Sequence, residues 1–403
     1  MARTVTVKEL SDAGVLVYSD GYRTKRSEHG RPGYRILRVA DVLNGRLVQD
    51  GEDYVRDEFR HSIGPKLSQP GDVLLTTKGT VGRVAIYPPV TEKVVYSPQL
   101  CYFRILDPTI LSARYLSYWF KSEEFRHQAS HRANNTDMAA YINLRDIGSL
   151  QLKCPPIAQQ RAIAEVLGTL DDKITTNDRI GQLAGSLADA EFAKAATAWH
   201  FDATTFEEVA EIGGGGTPKT SVDEYWGGDV SWATPTDVTG LQSPYLSRTS
   251  RTITVDGLAS CSSKLYPAGS ILMTSRATIG AFALAQVPLA VNQGFIVVNA
   301  YNRVYQWWLF HEMRSRVDEF LSHANGATFL ELPRGKFKKL GLRLPTVEQA
   351  FEFASRVRPL HDVAAQLMTE TATLAAARDE LLPLLMSGQV RLRDAEKIVG
   401  EVV

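Results

Sequence analysis

The sequence predicts an α+β protein: two α/β domains in a tandem pseudo-repeat, separated by two long helices that pair as an antiparallel coiled coil. Three observations carry this. The 403 residues exceed what one hydrophobic core usually holds, so two domains are expected. The chain resembles itself, with an offset that drifts only from 198 to 190 residues. Two segments of about 40 residues repeat apolar side chains every 3.5 positions.

The repeat is read from four markers. Gly71–Ala85 (GDVLLTTKGTVGRVA) aligns without gaps on Gly269–Ala283 (GSILMTSRATIGAFA), and 11 of the 15 positions agree in identity or close type. Tyr96–Gln99 aligns with Ala290–Gln293, His131–Thr136 with His323–Thr328, and Leu150–Gln159 with Leu340–Gln349, all in the same order. The boundaries that follow are a first globular domain (1–155), a first spacer helix (156–200), a second globular domain (201–345), a second spacer helix (346–390) and a C-terminal tail (391–403). A duplication kept only for packing explains the repeat, but not the divergence between the markers.

Each helix begins just after proline, at Pro155-Pro156 and at Pro345. In the first, Ile163, Val166, Leu167, Leu170, Ile174, Ile180, Leu183 and Leu187 form the stripe, which shifts by one near Asn177. In the second, Phe353, Val357, Leu360, Ala364, Leu367, Thr371, Leu374, Leu381 and Leu385 alternate steps of four and three, with Arg378 as the one charge and Pro359 against a regular first turn. Ile163, Leu167, Leu170 and Ile174 are expected to pack with Leu360, Leu367, Leu374 and Leu381. At ~1.5 Å per residue each helix spans roughly 60 Å.

Each globular domain mixes short strands with one helix. Strands are predicted at Arg35–Val39, Asp72–Thr76, Arg83–Ile86 and Leu100–Ile105, then at Ser270–Thr274, Phe282–Leu284 and Gly294–Val298. Helices are predicted at Leu111–Ser130 and Val304–Leu321, with Trp119, Trp307 and Trp308 read as core.

Composition limits function. The 44% hydrophobic and 22% charged content is that of a soluble globular protein. No run nears the ~18 apolar residues of a membrane helix, and MARTVTVKEL lacks the apolar core of a secretory signal. Cys101, Cys154 and Cys261 are isolated, neither a disulfide framework nor a zinc spacing, so a reducing cytoplasm is expected. Basic and acidic residues balance at 45 each, which argues little for nucleic acid. Residues 1–155 nevertheless carry 22 basic and 17 acidic side chains, and 200–345 carry 13 of each; the acidic excess lies in the helical segments.

The turns hold the candidate chemistry. Thr77–Arg83 exposes Lys78, Thr80 and Arg83, and its counterpart repeats a cation and a hydroxyl at Arg276 and Thr278. A cation with hydroxyls on a tight loop suits a phosphate or a guanine edge; the same residues also suit a plain exposed hairpin. Arg132, Asn134 and Asn325 occupy the equivalent polar turns beside His131 and His323, where a local cap is an equal reading. Gly213–Gly216 followed by Thr217-Pro218-Lys219-Thr220 invites a phosphate-loop reading, but Pro218 takes the slot where glycine is needed and removes an amide donor. Thr217 and Lys219 instead join the candidates for DNA contact. No methyltransferase motif, nuclease carboxylate pair, cofactor fingerprint or metal spacing is found, so no catalytic, cofactor or metal site is expected in this chain.

Gly214–Trp232, Gly269–Gly280, Asn292-Gln293 and Leu342–Gln349 resemble successive segments of a DNA-specificity subunit of type I restriction–modification systems. In the first half Gly71–Gly82, His131–Thr136 and Pro155–Arg161 carry the likeness, and Leu381–Leu392 is similar to the usual end of these subunits. The first domain departs at Ser19-Asp20-Gly21-Tyr22, which lacks the GGTP segment. The resemblance implies a recognition subunit without catalysis, whose two target recognition domains each read a few base pairs of double-stranded DNA across a fixed gap. Two methyltransferase subunits would dock on the helices and bring S-adenosylmethionine. A restriction and translocase subunit would bring ATP and Mg. The alternatives are a relative serving another methylation-based defence, a nucleotide-using or nuclease enzyme built on the glycine-rich loop, and a coiled-coil scaffold that does not touch DNA.

Overall fold

The structure, a computed structural model, describes residues 3–43, 45–48, 50–89, 92–132, 141–326 and 330–403. The chain forms two compact units: Met1–Thr175 with Ala372–Val403, and Thr176–Thr371.

The strands of the first unit are β1 (Arg3–Thr6), β2 (Leu16–Asp20), β3 (Gly33–Leu37), β4 (Val42–Leu43), β5 (Arg46–Leu47), β6 (Tyr54–Arg56), β7 (Val73–Thr76), β8 (Val84–Ile86), β9 (Val94–Tyr96), β10 (Leu100–Ile105) and β11 (Gln151–Cys154). They form sheets in the orders β2-β10-β7-β8, β6-β3-β9, β1-β11 and β4-β5. The second unit has β12 (Asp202–Thr205), β13 (Ala210–Gly213), β14 (Trp226–Ala233), β15 (Tyr245–Leu246), β16 (Arg251–Ile253), β17 (Ile271–Thr274), β18 (Phe282–Ala285), β19 (Leu289–Val291), β20 (Phe295–Ala300) and β21 (Gly341–Leu344). Its orders are β13-β20-β17-β18-β15, β16-β14-β19 and β12-β21. Apart from β4-β5 in the first unit and β15 in the second, the topology is repeated sheet for sheet, down to the parallel pairs β3–β9 and β14–β19.

This covers the point where the first copy departs in sequence. After β2, Gly21 passes so close to the neighbouring strand that a Cβ would lie 2.1 Å from the Tyr96 carbonyl oxygen. After β13, Gly215 meets the Val291 carbonyl oxygen in the same way, at 1.7 Å. One glycine suffices for that approach, so the first copy keeps the topology without a glycine run.

The expected strand at Arg35–Val39 lies two residues earlier, because the Asp41 carboxylate accepts from the Arg38 amide at 2.6 Å and starts a 3-10 turn at Val39. Each expected domain helix is two helices, Ala113–Lys121 with Glu123–Arg132, and Gln306–Arg314 with Val317–Ser322. Ser122 breaks the first: its hydroxyl donates to the Trp119 carbonyl and accepts from the Phe125 amide, ending one helix and capping the next. Trp119 and Trp308 are fully buried.

The long helices run Ile157–Ala198 and Val347–Ser387, unbroken at Pro359. In the first unit Ile163, Leu167 and Leu170 share a core with Leu374, Leu381 and Leu385, and Ile174 packs on its edge. Deleting a leucine side chain buried in this way typically costs roughly 2–5 kcal/mol. In the second unit Ala188, Phe192 and Ala195 meet Phe353 and Val357, with Leu360 partly buried beside them. There Asn177 bonds Glu370 at 3.0 Å and Arg356 reaches Glu191 at 3.4 Å, so the two segments run antiparallel. Leu367 is half-buried and belongs to no core cluster.

One element of the helix reading is corrected. The first stripe does not shift at Asn177; the buried positions continue through Asn177, Ala184, Ala188, Phe192 and Ala195. Ile180, Leu183 and Leu187 lie outside it and are exposed. Periodicity alone favoured large apolar side chains, but small ones line this seam, where a buried asparagine bonded to the partner helix holds the register. The tail is also a helix, Leu392–Val402, with Ala395 and Val399 in the first unit's core.

Each unit fastens its domain to the helices with different chemistry. In the first, Asp171 accepts from Tyr118 Oη and from Arg378, both at 2.8 Å, with Lys121 at 3.4 Å. In the second, a chain of hydrogen bonds through two histidines, ending on an aspartate, does this work. Tyr245 Oη lies 2.8 Å from His361 Nδ1, His361 Nε2 lies 2.9 Å from His311 Nε2, and His311 Nδ1 lies 2.9 Å from Asp189, which Arg314 also holds. Asp189 can only accept, so His311 carries its proton on Nδ1 and accepts at Nε2. His361 must then donate from Nε2 and accept from the tyrosine. With His361 in this tautomer, a second proton on either ring would set two N–H groups against each other or against the tyrosine hydroxyl's proton.

Burial lowers the His311 pKa, the hydrogen bond to Asp189 opposing it, and burial with the neighbouring His311 lowers that of His361 to about 3. The unfolded chain therefore binds these protons near pH 6.5 while the folded one does not. The stabilisation is complete above pH 6.5 and is lost as pH falls toward 3. NMR titration should find the His361 ring neutral at pH 5.5 and the His311 pKa below that of a free imidazole, with stability falling as pH drops below 6.5. An imidazole titrating at an ordinary pKa in either position would break the chain of bonds described.

Candidate nucleic-acid interface

The loops joining β7 to β8 and β17 to β18 are built alike. Thr76 Oγ1 donates to the Thr80 carbonyl and accepts from the Arg83 amide at 2.9 Å; Thr274 Oγ1 donates to the Thr278 carbonyl and accepts from the Ala281 amide at 3.0 Å. The Gly82 and Gly280 amides each donate to the carbonyl of that threonine at 3.0 Å. At the tip the backbone is left-handed, with φ +81° at Gly79 and +59° at Ala277. An L side chain there costs roughly 1–2 kcal/mol, yet the second copy carries alanine. Its amide is held by the Leu330 carbonyl at 3.1 Å, and Arg276 forms an antiparallel bridge with Glu331.

These bonds leave Lys78 and Thr80 exposed, and Arg276 and Thr278 likewise, while Arg83 is half-buried. Among the described residues Lys78 has no ion-pair partner. Arg276 is 2.8 Å from Glu331, each side chain a little under half exposed. An exposed pair of this kind is worth about 0–1 kcal/mol, so its release to another anion costs little.

In the second unit other candidates gather beside the loop. The Ser275 amide donates to the Gly294 carbonyl at 2.8 Å, and Thr217 Oγ1 donates to Gln293 at 2.7 Å. This places the loop, the 292–294 turn and Thr217–Lys219 along one edge, with Lys219 exposed. Asn325 exchanges both backbone bonds with Glu331, the partner of Arg276, and is exposed too.

In the first unit Arg132 is otherwise engaged: it bonds the Ser149 hydroxyl and the Gln128 carbonyl, each at 3.0 Å, and ties its helix to the 144–149 turn. Asn134 lies outside the described residues, as does Thr136. His131 contacts His127 at 3.2 Å, and the His323 carbonyl accepts from Lys336.

The glycine run is explained by packing. The Gly214 amide donates to Tyr266 Oη at 2.8 Å, the Gly216 amide to the Val291 carbonyl at 3.1 Å, and the Gly216 carbonyl accepts from Trp232 Nε1 at 3.1 Å. None of the four has a positive φ. Two of the amides a phosphate would need are thus spent inside the domain, and a Cβ at any of the four would come within 2.6 Å of a neighbour.

Composition and spacing did not single out Arg251. Its guanidinium carbon lies 3.6 Å from the centre of the Trp226 ring and 5.8 Å from that of Trp232. The aromatic partners are 25 and 19 residues away in sequence, so only the fold joins them. Among the described residues no group of three or more His, Cys, Asp or Glu could hold a metal ion. No helix among them is long and apolar enough to cross a membrane.

The two domains repeat one α/β topology, each with a cation on a hydroxyl-braced loop, and comparison with known proteins gives the class. The chain matches the type I restriction modification DNA specificity domain twice, over residues 4–183 and 201–371, and belongs to that family. It is 36% identical over 157 residues to the type I restriction enzyme MjaIX specificity subunit of Methanocaldococcus jannaschii, an alignment covering 38% of this chain and 36% of that protein. With the MjaX specificity subunit of the same organism it shares 21% identity over 415 residues, 96% of this chain and 94% of the relative. The type I restriction–modification S subunit from M. genitalium has the same fold, with a TM-score of 0.62 at 14% identity over 96% of each chain.

Lys78→Ala and Arg276→Ala should each weaken binding to DNA, by roughly tenfold, and lower the salt dependence of log K by about one unit. Fluorescence anisotropy across a salt series reads both quantities. Unchanged affinity in both variants would remove these loops from the DNA.

Proposed function

We propose that this chain is the specificity subunit of a type I restriction–modification complex, reading a bipartite double-stranded DNA target with a fixed gap. The observation that carries the reading is the duplication: two domains of one topology, each presenting a cation on the same hydroxyl-braced loop, at Lys78 and at Arg276. Joining two modest half-site contacts in one chain multiplies affinity through effective concentration. The sequence differs between the copies, so the two half-sites differ. DNA contact is assigned to Lys78, Thr80, Arg83, Thr217, Lys219, Arg276, Thr278 and Asn325. Arg132 is a weaker candidate because its guanidinium already braces the domain. The chain recognises and does not catalyse. S-adenosylmethionine, ATP and Mg belong to the partner subunits, and the complex works in the cytoplasm.

Two methyltransferase subunits dock on the long helices. Ile180, Leu183 and Leu187 support this: they are exposed by 42%, 60% and 50% and follow one another along one face of the first helix. A restriction and translocase subunit completes the assembly. Leu183→Asp should leave the fold intact by circular dichroism while the co-expressed methyltransferase no longer co-purifies. Full recovery of the complex would place the docking face elsewhere.

The deciding experiment is a methylome of cells carrying this gene with its partner methyltransferase, against cells lacking only this gene. A split motif methylated on both strands and lost with the gene is expected. Methylation that persists unchanged would favour a scaffold that does not touch DNA.

A further inference from the structure

We propose that Arg251 is a specificity-determining residue of the second domain, donating to the major-groove edge of a guanine in the half-site that this domain reads. The inference rests on the DNA-specificity reading above and names a residue that reading did not require.

The geometry is that of a preorganised donor. Arg251 lies directly opposite Trp232 in the β14–β16 ladder, and its carbonyl accepts from Thr249 Oγ1 at 2.6 Å, which also holds the Trp232 amide at 3.1 Å. The backbone under the side chain is therefore fixed. The guanidinium sits over Trp226, and Trp226 and Trp232 brace each other edge to face, 5.1 Å apart at 84°. Both indole N–H groups are hydrogen-bonded, that of Trp226 to the Lys219 carbonyl at 3.4 Å at the surface and that of Trp232 to the Gly216 carbonyl at 3.1 Å in the interior. The aromatic platform is thus anchored to the strip of backbone that carries Thr217 and Lys219.

Stacking uses the face of a guanidinium and leaves the N–H donors at its rim. Arg251 is exposed. Among the described residues no carboxylate lies within ion-pair distance of it, a state it shares with Arg248, Arg303 and Arg334, whereas Arg276, Arg314, Arg316, Arg343, Arg356 and Arg358 of the same unit each hold one. The first unit shows the contrast. Its three-stranded sheet also stacks arginines on an aromatic ring, Arg31 at 4.0 Å and Arg35 at 5.3 Å from the centre of Tyr54. Those two are engaged, Arg31 with Glu52 and Arg35 with the Gly51 carbonyl and Glu92. A planar cation held over an aromatic ring, its donors without a protein partner among the described residues, matches the O6 and N7 acceptors of guanine, the commonest arginine contact with a base.

The test is a methylome of cells expressing Arg251→Ala or Arg251→Lys with the partner methyltransferase, beside the parent chain. The parent should give a split motif. Both variants should lose discrimination at one G·C position of one half-site, by about 10- to 100-fold, with the other half-site unchanged. Lysine should fail like alanine, because it keeps the charge but not the planar fork. An unchanged motif in both variants would overturn the proposal. So would a uniform fall in methylation with the motif intact, the mark of a phosphate contact. If the parent chain itself gives no split motif, the DNA-specificity reading has failed and this proposal goes with it.

Discussion

A helix of about 40 residues with an apolar stripe cannot remain alone in water, and the rest of this structure depends on that constraint. The first long helix meets its partner only when the chain returns from far downstream. The first unit is accordingly completed by residues 372–403, and Leu374, Leu381 and Leu385 close a core that begins at Val5. The recognition domain at the start of the chain is therefore not finished until its end is made. The C-terminal helix, with Ala395 and Val399 buried, belongs to the same core.

Duplication then supplies two domains that can diverge without losing their attachment. The attachment points show how far divergence has gone. One copy uses an aspartate among cations, Asp171 with Arg378 and Lys121; the other passes from Tyr245 through His361 and His311 to Asp189, which Arg314 also pairs. Both join a domain to two helix segments, but they answer to different variables, since the charged junction is screened by salt and the histidine junction is sensitive to acid. The loops that carry Lys78 and Arg276 keep one construction. Thr76 and Thr274 brace the same turn with the same three contacts, although the left-handed tip is glycine in one copy and alanine in the other.

Much of this was legible in sequence. The repeat, the helix pair and the cation loops follow from patterns that local chemistry enforces: a 3.5-residue period, proline before a helix, glycine and threonine in a tight turn. What was misread has a physical cause in each case. A shift at Asn177 follows if large side chains mark the seam, whereas Ala184 and Ala188 are the buried positions and Leu183 lies outside. The first domain helix reads as one because Ser122 acts through hydrogen bonds that hydropathy does not register. The glycine run after β13 looked like chemistry and proved to be clearance, forced by Val291, Tyr266 and Ser262 from distant parts of the chain.

The sequence by itself determined the class of protein, the order of its parts and which loops carry cations, because these depend on neighbours in the chain. Only the tertiary structure decided which cations are free and which are spent. Arg132 and Arg251 look equivalent in a sequence, yet one is bound to Ser149 and Gln128 and the other is laid over Trp226. The difference is set by partners 17 and 25 residues away, brought near by strand pairing and helix packing that composition does not encode.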